Sequence, residues 1–173
     1  MNGIITIILV ILIGGLVLAT AYFLLKLFFN NEREQRTWEY KTQHMKITTP
    51  LRLQAYERMI LFLERLAPNS LIVRLQMQNM NARQLQTEML TLIRAEFEHN
   101  LAQQLYISIQ AWDVICSAKE NVIKLINLSA DEIDANASSM ELSQKIITNW
   151  ININPTPVRT AIDFLKKEAS QLF

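Results

Sequence analysis

The sequence predicts an all-α protein: an N-terminal transmembrane helix followed by a cytoplasmic antiparallel bundle of about five or six helices. Three observations carry that expectation. The first 25 residues contain no charged side chain. Half of the 173 residues are hydrophobic, yet glycine occurs three times and proline four times, so turn formers are scarce beside Leu, Gln, Glu, Ala and Met. Beyond residue 50, apolar side chains recur at the three- and four-residue spacing of helices that bury one face.

Charge and cysteine content narrow the function classes. Seventeen basic residues stand against sixteen acidic ones, without the basic excess that general nucleic-acid binding requires, so no nucleic-acid partner is expected. A single cysteine, Cys116, excludes an internal disulfide and fits a reducing compartment.

Residues 1–3 form a short tail. Residues 4–25, "IITIILVILIGGLVLATAYFLL", span about 33 Å as a helix, enough for a hydrocarbon core of about 30 Å. Thr6 and Thr20 can return their hydroxyls to the helix backbone. Ala19-Thr20-Ala21 has the spacing of a signal-peptidase site, but the leading "MNG" lacks Lys and Arg and the apolar run continues through Leu25. An uncleaved anchor is therefore expected. Lys26, Arg33, Arg36 and Lys41 follow the span, which puts the N-terminus outside and the bulk of the chain in the cytoplasm of an inner-membrane protein. Tyr22, Phe28, Phe29 and Trp38 are candidate interfacial anchors. Gly15 and Ala19 form a small-xxx-small pair that permits close helix contact, although both residues are common in membrane helices anyway.

Residues 26–49 read as a polar juxtamembrane linker and residues 50–173 as the helical domain. Thr49 is a candidate cap and Pro50 a candidate first-turn residue, opening a helix to about Ala67. Ala55, Met59, Phe62 and Leu66 share one face of it, widened by Tyr56, Ile60 and Leu63. Glu57-Arg58 and Glu64-Arg65 repeat seven residues apart and place charge beside that seam. An adjacent arginine keeps each carboxylate ionised rather than poised for proton transfer, so a packing helix is the expected role.

A second helix is predicted from near Ser70 through Leu75, interrupted by "QMQNMNARQ" with Asn79 and Asn81 as possible breaks or caps. Leu85, Met89, Leu92, Ile93 and Phe97 mark a third helix from Ala82. "LAQQLYIS" reads as either a continuation or a bent connector. Ser108 is the cap for a helix whose face carries Ile109, Trp112, Ile115, Cys116, Val122, Ile123 and Ile126. Ser129 and Glu132 have capping-box spacing, predicting a helix from near Ala130 with Ile133, Ala137, Met140, Ile147 and Ile151 on its stripe. "ININPTPVR" is a break. Thr156 and Pro157 then open a last helix bearing Val158, Ala161, Ile162, Leu165, Ala169 and Leu172, with Lys166 and Lys167 suited to its C-terminal dipole.

Reactive constellations are few. Glu96 and His99 form E-x-x-H, a motif that di-iron bundles use twice; the other histidine, His44, supplies no second copy, and surface or helix-capping roles are expected for the pair. One cysteine and two histidines make no zinc cluster. Cys116, flanked by Trp112 and Ile115, reads as core packing. All three glycines fall in the first 15 residues, so the domain has no glycine-rich phosphate loop. No cofactor, metal site or catalytic residue is predicted. Enzyme activity would need Cys116, His44, His99 and Glu96 to converge in one cleft.

The stretches "LRLQAYERMILFLERLAP", "EFEHNLAQQLYIS" and "AWDVICSAKE" together resemble an uncharacterised bacterial family of single-pass membrane proteins with a small helical cytoplasmic domain. The resemblance covers Thr49 to about Leu128 and implies no activity and no site residue. The function expected is a membrane-anchored helical adaptor or assembly subunit, bound to lipid through residues 4–25 and to a protein partner or to itself. The alternative is a tethered sensory module that holds a lipid or other hydrophobic ligand within its bundle.

Overall fold

A computed structural model describes residues 2–75 and 80–172; the side chains of residues 2, 4–6, 8–11, 29–31, 33–41 and 44 lie outside the described part. Six α-helices and two short 3-10 helices make up the described residues, with no strand among them. By contacts the chain divides into two units, Met1–Thr48 and Thr49–Phe173.

The first helix, α1 (Asn2–Leu66), contains Pro50 in its interior. This corrects the expectation of a fresh helix capped by Thr49: residues 26–49 are helical and run on into it. Proline removes one intrahelical hydrogen bond, but helix formers on both sides carry the chain through. In the first unit, every described residue from Leu12 to Leu25 is exposed, the large apolar ones at 56–74%. Thr20 Oγ1 donates to the carbonyls of Leu16 and Val17 at 3.0 and 2.9 Å, as expected of a hydroxyl in an apolar helix; the Thr6 side chain lies outside the described residues. Around Gly15 a Cβ would meet nothing within 4 Å, and Ala19 is likewise exposed. Among the described residues no helix is long and apolar enough to cross a membrane; of the expected span, the side chains of 4–6 and 8–11 lie outside that set.

The second unit is built on the end of α1. Ala55, Tyr56, Met59, Phe62, Leu63 and Leu66 are all 0–2% exposed, the stripe that the helical spacing predicts. After it come α2 (Pro68–Leu75), α3 (Ala82–His99), a 3-10 helix (Leu101–Leu105), α4 (Ile109–Asp131), α5 (Ser139–Ile151), α6 (Pro157–Ala169) and a 3-10 turn (Ser170–Leu172). The helix α4 is central, packing on α3, α5 and α6, while α2 packs on α3 and α5. A proline in the first turn lacks the N–H that would be unpaired there, which explains why α2 opens at Pro68 rather than near Ser70.

Caps fix most of the helix starts. Asn81 Oδ1 accepts from Gln84 N at 2.8 Å and Gln84 Oε1 accepts from Asn81 N at 3.0 Å, a reciprocal box that opens α3; Asn79 lies outside the described residues. Ser108 Oγ accepts from Ala111 N, and Thr156 Oγ1 from Arg159 N ahead of Pro157, as the sequence predicts. The ambiguous "LAQQL" is the 3-10 connector.

The expectation for residues 129–151 is corrected. Two S-x-x-E segments start nine residues apart, and the cap is the second: Ser138 Oγ accepts from Glu141 N and donates to Glu141 Oε1. Ser129 instead sits inside α4, fully buried, accepting from Asn149 Nδ2 at 3.0 Å. With α5 beginning at Ser139, its buried face is Leu142, Ser143, Ile146 and Trp150, leaving Met140 and Ile151 exposed. The stripe of α4 shifts as well: Ile109 is 78% exposed, and Ala111, Ala118 and Leu125 join Ile115, Val122 and Ile126 in the core. Short backbone bonds from Ala82 N to Ala137 O (2.8 Å) and from Ser139 N to Met80 O (3.2 Å) join the starts of α3 and α5. Replacing Ser138→Ala is expected to lower stability by about 1 kcal/mol, the value of a serine cap, read as a reduced urea midpoint; no change would mean that α5 does not depend on this cap.

Candidate functional site

Two sequence features that stand 31 residues apart meet in the domain. The seven-residue repeat of Glu-Arg pairs puts Arg58 and Arg65 on one margin of α1, beside the buried stripe. Capping fixes the register of α3, and near its C-terminal end Glu96 faces that margin. Arg74, in the last turn of α2, completes the arrangement. Arg74 Nη2 lies 2.6 Å from Glu96 Oε1, and Arg65 Nη1 lies 3.5 Å from Glu96 Oε2. Each carboxylate oxygen thus faces one guanidinium. Asn100, a buried residue past the end of α3, donates Nδ2 to the Glu96 carbonyl at 2.8 Å.

An open cavity of about 220 Å³ adjoins these groups, lined by Arg58, Leu61, Phe62, Arg65, Glu96, His99 and Asn100. Beneath it runs an aromatic ladder. The Phe62 and Phe97 rings are 5.9 Å apart, Phe97 stacks on Trp112 at 5.3 Å, and Lys119 Nζ lies 4.1 Å from the Phe97 ring centre. Such ring contacts and the cation over the ring stiffen the floor.

The electrostatics follow from the geometry. Burial pushes the Glu96 carboxyl upward, but the Arg74 hydrogen bond and the charges of Arg74 and Arg65 outweigh it, so its pKa falls below the ordinary 4.5. Glu96 therefore stays ionised and holds two arginines in place. A metal at Glu96 and His99 would have to displace guanidinium from both carboxylate oxygens, and among the described residues no three His, Cys, Asp or Glu side chains come together. His99 is exposed at the last turn of α3. Cys116 does not line the cavity; it is half-buried, and burial above all raises its pKa against the pull of Lys119. The His44 side chain lies outside the described residues.

Two other places carry polar groups. Tyr56 is 1% exposed, and its hydroxyl and Glu168 Oε2 are both enclosed without a completed hydrogen bond. Burial first, and the neighbouring Glu168 carboxylate next, raise the tyrosine pKa above 10.0, opposed by Arg52 and the Ser108 backbone. An open groove of about 500 Å³ runs between α4 and the loop before α6, lined by Asp113, Ser117, Asn121, Pro155 and Thr160 among others.

A model of a family of unknown function, DUF7935, matches residues 2–172. The chain belongs to that family. No curated protein and no solved structure matches it. The DUF7935 match spans both units.

Arg58, Arg65, Glu96 and His99 each stand out in the sequence, but nothing there shows that they share a pocket. Arg74 carries no sequence signal at all, because its role depends on where α2 comes to rest. A carboxyl whose pKa is lowered by folding stabilises the fold above its unfolded pKa, and that contribution disappears as pH falls through the folded value. Glu96→Gln should therefore cost about 1 kcal/mol at neutral pH, a value for a partly exposed ion pair. The difference from the wild type should shrink as the pH is lowered through the depressed pKa of Glu96 and vanish once its carboxyl is protonated, where both side chains are neutral. Urea midpoints at neutral and at acid pH measure it; a difference that persists in acid would contradict the charge-based account.

Proposed function

We propose that the protein is a membrane-anchored helical adaptor or assembly subunit that acts through protein–protein contacts and not as an enzyme. Residues 4–25 form the anchor, with the N-terminus outside and the domain from residue 50 onward in the cytoplasm of a bacterial inner membrane. The observation that carries this reading is the apolar surface of the first unit. Leu12, Ile13, Leu16, Val17, Leu18, Tyr22, Phe23, Leu24 and Leu25 are all more than half exposed, and they point in every direction around the helix. A helix that is hydrophobic all round needs an apolar surrounding. The length of the run from Ile4 to Leu25 suits a bilayer, and the first basic residues follow directly at Lys26, Arg33 and Arg36.

The adaptor role is supported by the second unit, in which the apolar stripes of six helical segments are spent on one shared core. What remains at the surface mixes charged and polar groups with scattered exposed apolar side chains such as Val73, Leu105, Ile109 and Ile151, material for contact with a partner.

Topology is tested by placing single cysteines within residues 26–49 in a Cys116→Ser background and treating intact spheroplasts with a thiol reagent that cannot cross membranes. The expected result is no labelling until the cells are opened. Labelling of intact spheroplasts would overturn the cytoplasmic assignment, and recovery of the chain in the soluble fraction would overturn the anchor. In-cell crosslinking with mass spectrometry is expected to recover a stoichiometric partner or a second copy; recovery of neither would overturn the adaptor role.

A further inference from the structure

We propose that the cavity between α1 and α3 is a docking pocket for a carboxylate side chain of a protein partner. The inference rests on the adaptor reading and gives the partner a chemical character: an acidic segment with apolar residues beside its carboxylates.

The charge balance of the pocket points to an anion. Glu96 is the one carboxylate that lines it, and both of its oxygens face arginines. Arg58 lines the same cavity, is exposed, and has no hydrogen bond or ion pair among the described residues. Arg65 remains 58% exposed and reaches Glu96 only at 3.5 Å, so most of its donors face outward. Glu57 and Glu64 precede these arginines in the chain but do not line the cavity. Two guanidiniums, Arg58 and Arg65, thus line the cavity with one carboxylate that Arg74 also neutralises, and the uncompensated charge lies on the cavity side.

Arginine forks bind carboxylates and phosphates in pairs of hydrogen bonds. The apolar part of the lining decides between them. Leu61, 49% exposed, presents apolar surface beside the charged groups, over the buried Phe62. A free phosphate would leave that surface wet, whereas the methylene stem of a glutamate covers it while its carboxylate reaches Arg58 and Arg65. The volume, about 220 Å³, has room for such a side chain. Glu96 acts here as a positioning residue: it fixes Arg65 and Arg74 so that less freedom is lost when a partner binds.

The test uses the full chain in detergent micelles and fluorescence anisotropy of a labelled dodecapeptide in which Glu alternates with Leu and Ala. The expected result is saturable binding that weakens about tenfold in Arg58→Gln, the loss of one charged fork at a recognition site. The peptide with Gln in place of Glu should bind at least about tenfold more weakly. The double variant Lys166→Gln/Lys167→Gln, on a different helix, should bind as the wild type does. Equal weakening in the lysine variant would mean unspecific charge attraction and overturn the proposal. So would binding insensitive to Arg58→Gln, or no binding at all. Arg58-dependent binding of inorganic phosphate without binding of the peptide would assign the pocket to a free anion, which also overturns it. Membrane topology does not enter this measurement, so its failure and a failure of the anchor in spheroplasts remain distinct.

Discussion

Burial of one face of α1 is the constraint from which the rest of the domain follows. Six side chains between Ala55 and Leu66 lie at 0–2% exposure, and removing any of the large ones would cost a few kcal/mol through lost transfer energy and the cavity left behind. Their burial leaves no rotational freedom to that part of the helix. Arg58 and Arg65, two turns apart, are then forced to its margin, and Arg65 is brought against Glu96 of α3. The polar pocket is a by-product of how the apolar stripe is satisfied. An arginine placed one position later on α1 would face a different neighbour.

The core beyond α1 shows the same economy. Small residues let helices approach: Ala111, Ala118 and Ala161 are buried where α4 meets its neighbours and α6 packs against it. Buried polar groups are mostly answered. Ser129 accepts from Asn149, Ser143 returns its hydroxyl to the Ser139 carbonyl, and Asn100 bonds back to α3. Tyr56 and Glu168 are the exception, two enclosed polar atoms near the start of α4. Burial of such a pair is costly in an apolar setting, and the domain tolerates it because the tyrosine ring fills space in the core.

Features that depend on a few neighbouring residues were legible in the sequence. The caps at Asn81, Ser108 and Thr156, the proline opening α6, and the stripes of α1, α3 and α6 all follow from local chemistry. Pattern failed where two local solutions competed. Ser129 and Ser138 offer the same capping spacing, and the choice was made by tertiary packing: Ser129 finds a buried partner in Asn149, while the turn before Ser138 is held by bonds to the start of α3. Misplacing that start displaced the predicted stripe of α5. Pro50 misled in the same way, since a residue suited to a helix start also fits, at some cost, inside a helix that neighbours sustain. The pocket itself was legible only in pieces. Glu96 and Arg65 are 31 positions apart, and no periodicity relates one helix to the side chains of another.

Hydrogen–deuterium exchange on the full chain tests most directly the claim that the end of α1 is a core element and not an independent rod. The segment continues a longer helix, so its release together with the domain, rather than protection alone, marks it as a core element. The account predicts that the amides of residues 55–66 exchange as slowly as those of α4, and that both are released together as denaturant is added. Fast exchange over 55–66 while α4 stays protected would contradict it.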